Sequence, residues 1–133
     1  MVFRGYLQSQ LAALGLHRLV WIGIPSAIFG LLHYDPAVMG AAAPWIAMST
    51  TLFGICAADL TARTGTLGPA IALHFAWNFY PIVLIGFPDY LGGLALFTND
   101  FSIMDKERLI SLVPYDAAFL LLAYLTVRIA LRR

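Results

Sequence analysis

The stretch Pro36 to Ala58 reads PAVMGAAAPWIAMSTTLFGICAA and holds no Asp, Glu, Lys or Arg. A helix that crosses a bilayer needs roughly 17–25 mostly apolar residues, and this stretch supplies them. The same absence of charge extends from Leu19 to Tyr34 and from Thr64 to Pro88. A fourth apolar segment, about Leu112 to Leu131, tolerates Asp116 near one end and Arg128 near the other, where side chains can snorkel. The 133 residues are 61% hydrophobic and 11% charged, with three histidines and one cysteine. Soluble domains carry about 25% charged residues, so the composition belongs to an integral membrane protein. The fold expected is an all-α polytopic membrane helix bundle. It has four spans plus a truncated N-terminal helix, in a single membrane domain over residues 1–133.

Proline and glycine punctuate that reading. A first helix, Val2 to Leu14, is too short to span alone and ends at Gly15, before a water-facing His17-Arg18 turn. A second, Leu19 to His33, contains Pro25 as a kink. A third, Pro44 to Ala62, opens with proline in its first turn and stops before Arg63-Thr64-Gly65. A fourth runs from Pro69 to Ile85, bent at Pro81. Residues 87–111 form the long polar connection, with a short interfacial helix expected at Tyr90 to Leu96. Arg18, Arg63, Arg128, Arg132 and Arg133 fall in alternate connections, which predicts a cytoplasmic C-terminus by the positive-inside rule.

Composition also excludes several classes. No basic stripe or phosphate-binding glycine loop suggests nucleic acid. Gln8 and Gln10 interrupt the N-terminal apolar run, and no cleavage pattern of a signal peptide follows. Cys56 alone supplies neither a disulfide nor a thiolate cluster. Ser26 and Ser49 lack the context of a serine nucleophile.

The chemistry points to two histidines. Phe29-Gly30-Leu31-Leu32-His33 and His74-Phe75-Ala76-Trp77-Asn78 each pair residues at i and i+4, on one helix face. An ionisable group at membrane depth is costly unless it faces the bundle interior, so such residues are functional candidates. Two imidazoles and a carboxamide can orient water and stabilise an oxyanion. These positions also admit plainer readings. His33 can be a hydrogen-bonded helix end, His74 and Asn78 can tie helices together, and Phe29 can simply pack. His17 reads as interfacial, Asp59 with Arg63 as an interfacial ion pair, and Trp21, Trp45 and Tyr90 as interface anchors or packing residues.

Phe29…His33 and His74…Asn78 resemble the FxxxH and HxxxN motifs of the CPBP intramembrane protease family. That family contains the type II CAAX prenyl proteases and the Abi or bacteriocin-processing proteins. The run Arg63-Thr64-Gly65-Thr66-Leu67, then Pro69 and His74, is similar to the family's RTGSL…P…H…N run. Met1-Val2-Phe3-Arg4-Gly5 is similar to the second half of its EExxFRG motif, with Arg4 as the motif arginine. The two glutamates of that motif would fall immediately before Met1. The resemblance implies that His33 helps activate water and that His74 and Asn78 form the oxyanion site. It also implies that Arg4 holds a glutamate and that no metal or other cofactor is used.

The function expected is therefore an intramembrane endopeptidase using glutamate-activated water on a membrane-associated or prenylated peptide. This chain, without the glutamate pair, is expected to be an inactive C-terminal core. The alternative is a non-catalytic membrane binding or immunity-type protein that keeps the fold. Membrane lipid is an expected partner and nucleic acid is not. The localisation expected is the plasma membrane of a prokaryote. Oligomeric state is not legible.

Overall fold

The helix boundaries follow local capping chemistry. The computed structural model describes residues 2–89 and 92–131. Its N-terminal segment is a π-helical turn, Val2–Leu7, that runs directly into α1, Gln8–Ala13. Gly15 at φ 70° reverses the chain, a backbone setting that costs other residues dearly. His17 then caps α2, Arg18–Leu31, its ring Nδ1 accepting from the Leu19 amide at 3.3 Å.

Asp35 caps the next element by accepting from the amides of Ala37 and Val38, both at 3.1 Å. One turn, α3 (Pro36–Met39), and a 3-10 turn, Gly40–Ala42, lead into α4, Ala43–Thr64. Gly65 ends α4 in the left-handed conformation, φ 67°, with its amide donating to the Thr61 carbonyl at 2.9 Å. The expected Arg-Thr-Gly turn lies here.

Helix α5 covers Gly68–Phe79 and widens into a π-helical turn, Tyr80–Leu84. Pro81 has no amide hydrogen to continue the α-helical pattern, which is why the change falls there. Residues Ile85–Gly86 (β1) then pair in parallel with Phe97–Thr98 (β2), in register Ile85 to Phe97. The final helix, α6, covers Lys106–Ala130 and starts earlier than the apolar pattern predicts. Asp105 explains this early start, because its carboxylate accepts from the Arg108 amide at 3.2 Å and Glu107 favours the first turn. A 3-10 turn, Gly92–Leu94, lies where the interfacial helix was expected. Tyr90, Arg132 and Arg133 lie outside the described residues.

The described residues are 78% helical, and the two strands among them are minor. Two helical stretches, Pro36–Thr64 and Lys106–Ala130, are long and apolar enough to cross a membrane. As α-helices, α2 with 14 residues and α5 with 12 are shorter than that, although both are apolar.

The tightest seam joins α2 and α4, and glycine makes it possible. A Cβ on Gly30 would meet the Ala47 carbonyl oxygen at 2.6 Å. A Cβ on Gly54 would meet the Arg4 guanidinium at 2.7 Å and the Ser26 Cβ at 3.0 Å. Small residues at such positions let helix backbones approach where lipid supplies no hydrophobic drive. The apolar core gathers on the other side of α4. Phe53, Cys56, Ala57 and Leu60 pack there against Ala70 and Leu73 of α5 and Leu120 of α6.

Candidate functional site

Arg4 is the polar centre of the N-terminal segment. The π-helical turn presents it to both α2 and α4, and the residue is only 9% exposed. Its Nη1 donates to Ser26 Oγ at 3.3 Å, and its guanidinium lies 5.8 Å from the Phe29 ring centroid. Ser26 Oγ in turn donates to the Ile22 carbonyl at 2.6 Å, which leaves its lone pairs free to accept from Arg4. Among the described residues Arg4 forms no ion pair. An arginine is seldom buried without an anion, since an uncompensated buried charge is strongly destabilising.

Arg4 lines a cavity of about 130 Å³ together with Phe3, Phe29, Phe53, Ala57, Leu67, Ala70, Ile71 and His74. Three of the candidates, Arg4, Phe29 and His74, therefore share one lining. His33 is not part of it but is linked to it through rings. Its imidazole centroid is 4.7 Å from that of Phe29, Phe29 is 6.2 Å from Phe53, and Phe53 is 5.2 Å from His74. Asn78 lies one turn beyond His74 on α5, exposed and outside the lining.

The geometry fixes one protonation detail. His33 Nδ1 lies 2.8 Å from the Phe29 carbonyl oxygen, which can only accept. Nδ1 must carry the proton, so Nε2 of a neutral His33 is the free, basic nitrogen. That nitrogen suits acceptance of a proton from water. Among the described residues the cavity lining includes an imidazole and a guanidinium but no carboxylate. Among the described residues no group of three His, Cys, Asp or Glu side chains is placed to share a metal ion.

A larger cavity of about 540 Å³ lies between α4, the end of α5 and α6. It holds none of the five candidate residues, although Trp77, which packs 6.0 Å from Phe53, borders it along with Asp116. Size alone would choose this cavity; the chemistry favours the smaller one.

Several contributors are not apparent from the motifs. Ser26, fully buried, and Gly54 make the seat for Arg4, and Phe53 connects the two histidine-bearing helices. Gln8, four residues after Arg4, is also buried and donates to the Ala58 carbonyl at 3.0 Å. The i, i+4 spacing of Arg4 and Gln8 is the available signal that both face the same neighbour.

Asp59 and Arg63 do pair, at 2.6 Å, but the contact is part of a wider network. Asp59 also accepts from Arg18 on α2 and from the Tyr124 hydroxyl of α6 at 2.7 Å.

The architecture and this pocket define a class: a helical protein with an imidazole and a guanidinium lining one pocket that opens to the surface. The family model Rce1-like, described as type II CAAX prenyl endopeptidase Rce1-like, matches residues 1–80. The chain belongs to that family, as the CPBP resemblance implied. The match covers Arg4, Phe29, His33, His74 and Asn78. Comparison with curated proteins and with solved structures found no match.

Proposed function

We propose that this chain is the histidine-bearing part of a CAAX-type intramembrane endopeptidase. The supporting observation is the buried Arg4 guanidinium, which has no carboxylate partner among the described residues and shares a cavity with His74. In this reading a glutamate held by Arg4 activates water, with His33 Nε2 assisting. His74 and Asn78, one turn apart on α5, stabilise the developing oxyanion. The substrate is a membrane-associated peptide, with a prenylated one the first to test.

The proposed topology has four spans, with α2 and α5 completed by their adjoining turns, and a cytoplasmic C-terminus in a prokaryotic plasma membrane. A second reading is a membrane binding or immunity-type protein that keeps the fold.

The experiment compares the Met1 to Arg133 chain with a form carrying Glu-Glu directly ahead of Met1, each reconstituted with a fluorogenic prenylated peptide. Cleavage by the second form alone is expected. In that form His33→Ala and His74→Ala each lower turnover by roughly 10²-fold or more, as loss of an acid–base or oxyanion group does. Asn78→Ala is also impaired, whereas His17→Ala is nearly silent. Robust cleavage by the Met1 to Arg133 chain itself would overturn the carboxylate mechanism.

A further inference from the structure

Two arginines from two helices meet on one carboxylate at a single end of the bundle, and a third arginine from another helix reaches it through a tyrosine hydroxyl. Arg18 opens α2, Arg63 lies in the last turn of α4, and Arg128 lies in the last turn of α6. Asp59 Oδ1 accepts from Arg18 Nη2, while Oδ2 accepts from Arg63 Nε at 2.6 Å and from the Tyr124 hydroxyl at 2.7 Å. The Tyr124 oxygen accepts in turn from Arg128 Nη1 at 3.1 Å. Three permanent positive charges therefore share one hydrogen-bonded network with a single negative charge.

Among the described residues no other acidic side chain is placed to balance them. Asp35 sits at the opposite ends of α2 and α4, and Asp105 and Glu107 at the opposite end of α6. Asp89 and Asp100 belong to the α5–α6 connection, and Asp116 is two helical turns from Tyr124 along α6.

The arrangement is layered as well as cationic. The Asp59 side chain is 11% exposed, beneath Arg18 and Arg63 side chains that are 49% and 34% exposed. Each guanidinium offers five donors in a rigid fork, and the network uses few of them. The outward donors of Arg18 and Arg63 thus face outward above a carboxylate that is already occupied. Among the described residues the buried Arg128 Nε has no hydrogen-bond partner, a second sign that this cluster has more donors than internal acceptors. Trp21 lies 6.0 Å from the Arg18 guanidinium, and tryptophan is enriched at the membrane–water interface.

We infer that the Arg18, Arg63 and Arg128 cluster is a phosphate-binding site at one end of the bundle, whose occupant is the headgroup of an anionic phospholipid. Basic pockets between membrane helices recognise such headgroups, and arginine matches phosphate oxygens bidentately. The site is independent of the peptidase reading, since it uses none of the residues proposed for hydrolysis.

The test uses the chain in phosphatidylcholine nanodiscs and reads Trp21 emission in a Trp45→Phe, Trp77→Phe background. Acyl-brominated phosphatidylglycerol is expected to quench at least twofold more than brominated phosphatidylcholine at the same mole fraction. Arg63→Gln with Arg128→Gln is expected to remove that excess. Because those changes also disturb the network, Asp59→Asn provides a second reading: it removes the inner anion and keeps all three guanidiniums. That variant should melt earlier in phosphatidylcholine alone and recover when phosphatidylglycerol is added. Inorganic phosphate against chloride at equal ionic strength, in neutral detergent, separates the sources. Stabilisation by phosphate equal to that by the lipid assigns the site to free phosphate, and stabilisation by the lipid alone assigns it to the headgroup. Equal quenching by both brominated lipids, together with an Asp59→Asn variant indifferent to phosphatidylglycerol and phosphate, would overturn the site.

Discussion

Helices α4 and α6 are nearly matched in apolarity, yet their surroundings differ. The best membrane window of Pro36–Thr64 has mean hydropathy 1.4 and is 39% buried within the molecule, whereas that of Lys106–Ala130 has 1.7 and is 6% buried. Residue size accounts for the difference. Helix α4 carries Gly54, Ala57 and Ala58 where α2 and α5 approach, while α6 presents Phe119, Leu121, Leu122 and Leu125 outward. Hydropathy says that a helix prefers to leave water. Small side chains say that its neighbour is protein, and large ones that its neighbour is lipid.

The contrast predicts a graded response to mutation. Gly30→Val should have the largest effect, because its side chain would enter the space of Thr51 and the Ala47 carbonyl, and backbone cannot yield cheaply. A loss of about 3 kcal/mol or more is expected, read as heat or detergent resistance; a stable, well-packed Gly30→Val protein would break the account of the seam. Leu60→Ala in α4 removes a fully buried side chain and should cost about 2–5 kcal/mol. Leu120→Ala sharpens the comparison, since Leu120 is the one fully buried leucine of α6. It should approach the Leu60 value, and a negligible effect would mean that α6 is not docked through this residue. Leu122→Ala, 65% exposed, should stay within about 0.5 kcal/mol.

The smallest effect concerns the connection leading into α6. Asp89 accepts from Ser102 Oγ at 2.5 Å and from the Ile103 amide at 3.1 Å, and these bonds hold its carboxyl below the usual 3.8. A depressed value means that the clasp is fully present above 3.8 and is lost as pH falls through the lower folded value. The Ile103 amide resonance should titrate with a midpoint below 3.8. A midpoint at or above 3.8 would remove the clasp.

Much of the fold was legible from punctuation. Gly15, Asp35-Pro36, Gly65 and Pro69 lie at helix ends because their backbone preferences act within a few residues, where sequence is an adequate guide. Span length was less legible. The uncharged run from Leu19 to His33 looks continuous, but α2 ends at Leu31 in a turn before Asp35. The α5 run likewise changes to a π-helical turn at Pro81 and to a short parallel strand pair, which depends on Phe97 returning from the far side of a loop.

The candidate site divides in the same way. Arg4, Phe29 and His74 were marked by motif spacing and share a cavity, but Ser26 and Gly54, which seat Arg4, carry no local signal. The link from Asp59 to Arg18 joins residues 41 positions apart, and that to Tyr124 residues 65 apart, so i, i+4 reasoning reached only Arg63.

The shortness of α2 has a consequence for the membrane itself. Its 14 residues give ~21 Å of helix, against a hydrocarbon thickness of about 30 Å, whereas the 25 residues of α6 give ~37 Å. If α2 spans without help from its adjoining turns, the bilayer is thinner beside α2 than beside α6, at a cost of fractions of a kcal/mol per Å of mismatch. Such a dimple lowers the water surface toward His33 at one end of α2 and toward Arg18 at the other. Hydrolytic water would then reach the proposed base through the deformed bilayer, with no channel needed through the protein.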